Sequence, residues 1–126
     1  MNKKEFSKIR HHFEKSQLQI SQLLGVSLKA VQSFEQGWRK IPVHVERQLL
    51  FLLALKQNSH RKVKPCWELL KCPKETRIHC PAWEFKAGHY CWCISGTICR
   101  GKVQDSWQKK MNICTRCKVF QKTVSL

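Results

Sequence analysis

Cysteine is absent from the first 65 residues of this 126-residue chain, and acidic residues are scarce throughout it. Only 8 aspartates and glutamates stand against 24 lysines and arginines, and Asp105 is the sole aspartate. No pair of carboxylates therefore stands out for general acid–base work. The sequence also lacks a Ser/His/Asp set, a phosphate-binding loop and a nucleotide-binding fingerprint, so we predict that the protein is not an enzyme.

Long hydrophobic runs are missing as well. The opening residues contain no apolar segment of the kind that secretory signals need. The longest apolar stretch, residues 49–55, is far shorter than the roughly 18 residues of a membrane-spanning helix. We therefore expect a cytoplasmic protein with no membrane partner, whose thiols stay reduced and are available to bind metal.

Positive charge is what the chain has in excess, with a formal net charge of +16 spread over both halves. Such a balance favours polyanionic partners, above all nucleic acid, although a basic surface can also be merely solvated. The eight cysteines all fall between Cys66 and Cys117, after a polar, basic stretch that ends at Pro65. We therefore predict a domain at 1–57, a linker at 58–65, a cysteine-rich domain at 66–120 and a tail at 121–126.

Helical periodicity dominates the first domain. Phe6, Ile9 and Phe13 form the buried stripe of a first helix. The basic residues of this helix are expected on its outer face: Lys3, Lys4, Lys8 and Arg10. Gly25 can adopt the positive φ that ends a helix and Ser27 is a suitable N-cap for the next one. The predicted helices span residues 2–13, 17–24, 28–36 and 44–56, which together make a small all-α helical bundle.

The stretch from Ser16 to Gly37 resembles the helix-turn-helix of the Cro/phage-repressor (XRE) family, which has the lambda-repressor-like fold. The resemblance rests on residues in fixed register: Ser16-Gln17, Leu24-Gly25-Val26-Ser27, Ala30-Val31, Phe34-Glu35 and Gly37. It implies that residues 28–36 form the helix that enters the major groove of DNA. Two places depart from the family pattern, because Ser21 replaces alanine and Glu14-Lys15 replaces Gly-Leu in the preceding turn.

Residues on the outer side of the third helix correspond to those with which the family contacts bases. Gln32 suits adenine, Lys29 suits guanine and Leu28 can touch a thymine methyl group. The resemblance adds phosphate contacts near the start of the second helix and after the third. The predicted DNA-binding residues are Gln17, Ser27, Leu28, Lys29, Gln32, Ser33, Arg39 and Lys40. The resemblance gives Glu35 a structural role, and we expect Trp38 to pack in the loop rather than stack on the DNA backbone.

The second half shows little periodicity and cannot bury much core, so it needs covalent or metal staples. In a reducing compartment, metal–thiolate bonds are expected rather than disulfides. The sequence from Cys114 to Cys117 has the CxxC spacing that lets two sulfurs reach one metal, although catalytic thiol pairs share this spacing. We predict an irregular, metal-stapled, cysteine-rich domain.

The same half resembles the two-CW domain, a small cysteine-rich module of anaerobic bacteria that is attached to signalling proteins. The matching segments are Cys66-Trp67-Glu68, Cys80-Pro81-Ala82, Cys91-Trp92, Gly96-Thr97 with Cys99, and Cys114 and Cys117 with Val119-Phe120. The family has seven cysteines, here Cys66, Cys72, Cys80, Cys91, Cys99, Cys114 and Cys117, which we predict as metal ligands. Cys93 is additional, and His79 or His89 could complete a second site. Thiolate sets of this size suit either zinc or an iron–sulfur cluster, and the choice stays open.

Together these features predict a bacterial, sequence-specific transcriptional regulator that binds double-stranded DNA, as a homodimer. Its cysteine module is expected to make it responsive to redox state or metal. The alternative is a signalling adaptor whose helical half binds protein and whose zinc is structural. An electron carrier is a further rival.

Overall fold

A computed structural model gives the fold, and it describes residues 1–58 and 64–124. Over these residues the chain is mostly helical and contains a single two-stranded sheet. It divides into two compact units, with the division between Leu53 and Ala54. Residues 59–63, which make up most of the predicted linker, lie outside the described residues.

Four helices occur in the first part of the chain, and their bounds match the predicted ones to within two residues. They are α1 (Lys3–His12), α2 (Gln17–Leu24), α3 (Leu28–Gln36) and α4 (Val43–Asn58). Side-chain caps explain where the first three begin. Asn2 and Ser16 form capping boxes with Glu5 and Gln19, and the Ser27 hydroxyl accepts a hydrogen bond from Ala30 N–H at 3.0 Å.

The core of the first unit contains the apolar stripe predicted for the first helix. Phe6, Ile9 and Phe13 are buried, and the ring of Phe6 meets that of Phe34 edge to face, with centroids 5.7 Å apart. From α3, the buried residues are Ala30, Val31 and Phe34; from α4, they include Val45, Leu49 and Leu53. Helix α3 packs against both α1 and α2, so one of its sides is fixed by the core.

The turns before and after α2 each contain a residue in the left-handed conformation. Glu14 adopts a left-handed conformation with φ of 55°, which is costly for a residue with a Cβ atom. Gly25, with φ of 68°, ends α2 in the same region without that cost. Ser21 is buried, and its hydroxyl donates to Leu18 O at 2.6 Å, which satisfies the additional polar group.

Short elements make up the second unit. The helices are α5 (Cys66–Leu69), α6 (Lys74–Arg77), α7 (Pro81–Glu84), α8 (Trp107–Cys114) and α9 (Lys118–Val124), and a 3₁₀ helix spans Cys91–Cys93. Strands β1 (Thr97–Cys99) and β2 (Lys102–Gln104) pair in antiparallel register, with Ile98 opposite Val103.

The core of the second unit is built around Trp92, which is fully buried and meets Phe120 edge to face at 5.5 Å. Val119 and Val124 are buried on α9. The predicted tail at 121–126 therefore needs correction, because α9 continues to Val124 and buries residues there. Residues 125–126 lie outside the described part of the chain. Within that part, no helix is both long and apolar enough to cross a bilayer.

Candidate functional site

One side of α3 is open to solvent, and it carries the residues predicted to contact bases. We call Leu28, Lys29, Gln32 and Ser33 the α3 face. Lys29 and Gln32 are exposed, Leu28 is 38% exposed and Ser33 is half-buried. The opposite side, which includes Val31 and Phe34, is buried in the core. The buried side of α3 therefore anchors the helix in the core, while the polar groups of the α3 face remain accessible.

The segment after α3 presents cations and one large aromatic ring. Arg39 and Lys40 are exposed, and Trp38 is 82% exposed. The expectation that Trp38 packs in the loop is therefore wrong. Gly37 turns the chain with φ of 80°, and the backbone N–H groups of Trp38 and Arg39 both donate to Ser33 O. This backbone anchoring fixes the loop without using the indole ring.

Gln17, predicted to contact phosphate, lies half-buried in the first turn of α2. Its side-chain amide donates to Glu35 Oε2 at 3.0 Å, and the amide has a second N–H with which it can still donate. Ser27 is exposed, and its hydroxyl is used as the N-cap of α3. These contacts orient α2 and α3 relative to each other. The predicted phosphate contact of Gln17 stays a prediction.

Arg10 was expected on the outer face of α1, and this expectation is wrong. Its guanidinium is largely buried and forms a bidentate ion pair with the carboxylate of Glu35, the Nη2–Oε2 contact being 3.1 Å. Burial alone raises the pKa of Glu35, but the hydrogen bonds from Arg10 and Gln17 and the charge of Arg10 hold it below its usual value. Glu35 thus ties α1, α2 and α3 together.

In the second unit, all seven cysteines predicted as ligands line one cavity of about 800 Å³. We call it the cysteine cavity. Its cysteines come from several helices, a strand and the segments between them: Cys66, Cys72, Cys80, Cys91, Cys99, Cys114 and Cys117. Cys93 does not line the cavity, and neither His79 nor His89 does. The chain therefore brings together residues that are up to 51 positions apart.

Backbone and side-chain hydrogen bonds hold several of these sulfurs. Ile98 N–H in β1 donates to Cys80 Sγ at 3.3 Å. A hydrogen bond between Cys66 and Cys91, together with burial, raises the pKa of Cys91 far above its usual range. Burial also raises the pKa of Cys99, and it raises that of Cys114 to about 12, although nearby Lys110 opposes both shifts. Because their pKa values are raised, the thiols of Cys91, Cys99 and Cys114 are protonated at pH 7 when no metal is bound.

The charged residues that line the cysteine cavity are all cationic. Four cationic side chains line it and, among its described lining residues, none is acidic: the cations are Arg77, Arg100, Arg116 and Lys118. Lys110 does not line the cavity, but its ammonium donates to Oγ1 of Thr97, which does. Lys110 is only 1% exposed. No carboxylate of residues 1–58 or 64–124 forms an ion pair with Lys110. A buried cation of this kind favours an anion nearby.

The donor set of the cysteine cavity fits a metal centre, because thiolates are strong ligands for zinc, copper(I) and iron–sulfur clusters. Binding would convert neutral thiols into thiolates and so provide the negative charge that the surrounding cations lack. Over the described residues, however, no three His, Cys, Asp or Glu side chains are grouped so as to hold a metal ion. The cysteines surround a space rather than one point.

Arg10 and Lys110 were not predicted as interior residues, since arginine and lysine are usually exposed. For Lys110 one signal was present, because it lies four residues before Cys114 and so on the same side of α8. Comparisons of the chain with protein families, with curated proteins and with solved structures find no match.

Proposed function

We propose that the protein is a sequence-specific DNA-binding regulator that reads its site with the α3 face. The observation that carries this proposal is an open polar edge on a helix whose other side is locked in the core. A three-residue turn joins α2 and α3, with Gly25 left-handed and Ser27 capping. This arrangement supports a helix-turn-helix that places its second helix in the major groove.

The α3 face has side chains suited to base edges. The Gln32 amide can both donate to and accept from adenine, and the ammonium of Lys29 can donate to the guanine acceptors O6 and N7. Each good contact discriminates against the wrong base by about 1–3 kcal/mol. Arg39 and Lys40 flank the reading helix as phosphate contacts, which fix register without selecting sequence.

Trp38 extends the same surface. Trp38 is 82% exposed and directly precedes two exposed cations, Arg39 and Lys40, so its ring is accessible to a partner. Stacking on sugar and backbone at the edge of the groove would bury the ring. Loss of this contact would weaken DNA binding without changing the preferred sequence.

The DNA-binding proposal is tested by selecting a preferred duplex from random sequences with the full chain and measuring its affinity at several salt concentrations. We expect affinity to fall steeply with salt, with a log–log slope of about −0.9 for each phosphate neutralised. Lys29→Ala and Gln32→Ala should each reduce discrimination by about 5- to 150-fold, which corresponds to the loss of ~1–3 kcal/mol.

Lys8→Ala is the charge-matched control, because Lys8 is an exposed lysine on another helix, α1, and does not belong to the α3 face. It should leave the selected sequence unchanged. A flat salt response, or α3 variants that behave like Lys8→Ala, would contradict DNA reading and favour the alternative of an interaction adaptor.

One α3 face spans few base pairs, so we propose that the protein binds DNA as a homodimer on two half-sites. Light scattering of the free chain and of its complex with the selected duplex tests this directly. A monomer in both measurements would exclude the dimer.

For the second unit we propose a metal centre in the cysteine cavity, held by four of the seven cysteines that line it. A metal centre there, whether zinc or an iron–sulfur cluster, would make folding of this unit depend on metal, and a cluster would add sensitivity to oxidation. We expect DNA affinity to differ between air and nitrogen, and Cys114→Ser with Cys117→Ser to abolish the difference. Equal affinities of the unmodified chain under both gases would exclude redox regulation.

A further inference from the structure

We infer that the cysteine cavity holds an iron–sulfur cluster whose ligands are Cys91, Cys99, Cys114 and Cys117, with Lys110 as its buried counter-charge. The inference rests on the proposed metal centre and specifies its chemistry. It does not depend on the DNA-binding half of the molecule.

The contact between α8 and β1 brings the first two ligands together. Lys110 and Cys114 are four residues apart in α8 and therefore share one side of the helix. Thr97 and Cys99 are two residues apart in β1 and share one face of the strand. The hydrogen bond from Lys110 Nζ to Thr97 Oγ1 joins these two surfaces, so that Cys114 and Cys99 meet at the cavity.

The other two ligands adjoin the end and the side of α8. Cys117 follows Cys114 in a tight turn, with Cys117 N–H donating to Cys114 O at 2.9 Å. Cys91 lies in the 3₁₀ helix against which α8 packs.

The size of the cavity favours a cluster over a single ion. Four sulfurs at about 2.3 Å from one zinc lie roughly 3.8 Å from one another, which is a tight group. No group of three potential ligands placed to hold a metal ion occurs among the described residues, whereas seven cysteines surround a space of about 800 Å³. A cluster brings its own sulfides and irons to the centre, so its cysteines stand farther apart.

The charge around the cavity favours the same occupant. Four thiolates on a cluster leave a net negative charge, and hydrogen bonds and nearby cations stabilise it. Lys110 lies fully buried, four residues before Cys114 in α8, and forms no ion pair with a described carboxylate. Without an anion in the cavity, nothing on the described part of the chain offsets this charge.

The first test is to purify the full chain without oxygen and supply sulfide with mixed ferrous and ferric iron, so that no other oxidant is needed. We expect a brown protein with sulfur-to-iron charge-transfer absorption, containing iron and acid-labile sulfide in equal amounts. A parallel sample receives zinc alone. A colourless protein that retains zinc and no sulfide would overturn the cluster, and retention of neither metal would overturn the metal centre as well.

Single serine variants test the ligand set. Cys99→Ser and Cys114→Ser should each lose most of the bound iron and sulfide. Cys93→Ser is one matched control, because Cys93 does not line the cavity, and Cys72→Ser is a second, because Cys72 lines it outside the proposed set. Both controls should retain the cluster. Loss in Cys72→Ser equal to that in Cys99→Ser would overturn this assignment of ligands.

The role of Lys110 has its own readout, the reduction potential of the cluster. Removing a nearby positive charge disfavours the more negative, reduced state, so Lys110→Met should shift the potential to a more negative value. Lys109→Met is the control, because Lys109 is 61% exposed and should leave the potential unchanged. Equal potentials in the two variants would overturn the counter-charge.

If Lys110→Met binds no iron, Lys110→Arg and Lys110→Gln separate charge from shape. Retention by the arginine variant alone supports the counter-charge. Loss of iron in all three variants contradicts the counter-charge. Retention of iron by the glutamine variant with an unchanged reduction potential contradicts it as well.

Discussion

At the scale of single residues, the chain places charged groups in the interior where each has a defined task. Glu35 accepts hydrogen bonds from Arg10 and Gln17, and this contact fixes three helices around the α3 face. Glu35 and Gln17 match the XRE pattern in sequence, but Arg10 does not belong to that pattern. The sequence placed Arg10 on the outer face of α1, because arginine is rarely buried without a partner and its partner lies on another helix.

The lowered pKa of Glu35 predicts that the first unit loses stability in acid. A carboxyl group with a lowered pKa in the folded state stabilises the fold fully above its unfolded pKa of about 4.3, and this contribution is lost as the pH falls through the folded pKa. Glu35→Gln should cost about 2 kcal/mol at pH 7 and should flatten this acid dependence.

The measurement is denaturant unfolding of the full chain at a series of pH values, in which a probe located in the first unit reports the unfolding of that unit. Glu5→Gln does not serve as a control, because Glu5 belongs to the capping box of α1. Glu14→Gln is suitable, since Glu14 is exposed and in no ion pair of the described structure. An acid slope unaffected by Glu35→Gln would contradict this account.

At the scale of elements, periodicity and caps predicted the first unit well but the second unit poorly. Helices α1 to α4 have apolar stripes and clear start or stop residues, so their positions could be predicted from the sequence. Helices α8 and α9 are short and carry few apolar residues, and their buried side is formed in part by Lys110, Cys114 and Thr123. Such residues do not produce a hydrophobic stripe.

Which cysteines would meet at one cavity followed only from the family resemblance, and their order around it could not be predicted at all. The hydrogen bond between Lys110 and Thr97 joins elements that no sequence rule pairs. Contacts between residues far apart in the chain depend on tertiary packing rather than on local preference. Contacts that the sequence could not predict are therefore most frequent in the second unit.

The cap of α8 provides a prediction at this scale. The Ser106 hydroxyl accepts a hydrogen bond from Lys109 N–H at 3.2 Å at the start of the helix that ends in Cys114. Ser106→Ala should cost about 1 kcal/mol and should increase the rate at which a chelator removes metal from the cavity.

Ser106→Asp is the matched control, because aspartate is an equally good N-cap and should restore both stability and metal retention. Equal rates of metal loss in Ser106→Ala and in the unmodified chain would contradict a role for α8 in positioning a ligand.

At the scale of the whole molecule, the two units are stabilised by different means. The first unit has a continuous apolar core with aromatic and aliphatic residues from α1, α3 and α4. The second has few large buried side chains besides Trp92 and surrounds a cavity of about 800 Å³. A small fold of this kind needs an additional stabilising element. The seven cysteines that line the cavity could provide it by binding metal.

We therefore predict that metal removal unfolds the second unit and leaves the first one folded. Metal binding couples directly to folding when the ligands come from elements with little core of their own. Amide hydrogen exchange on the full chain, with and without an anaerobic chelator, measures this by segment. Protection should be lost in β1, β2, α8 and α9 and retained in α1 to α3. We expect the first unit to keep its protection because it has its own capped helices and closed core. Loss of protection throughout the chain, or retained protection in α8, would contradict separate stabilisation of the two units.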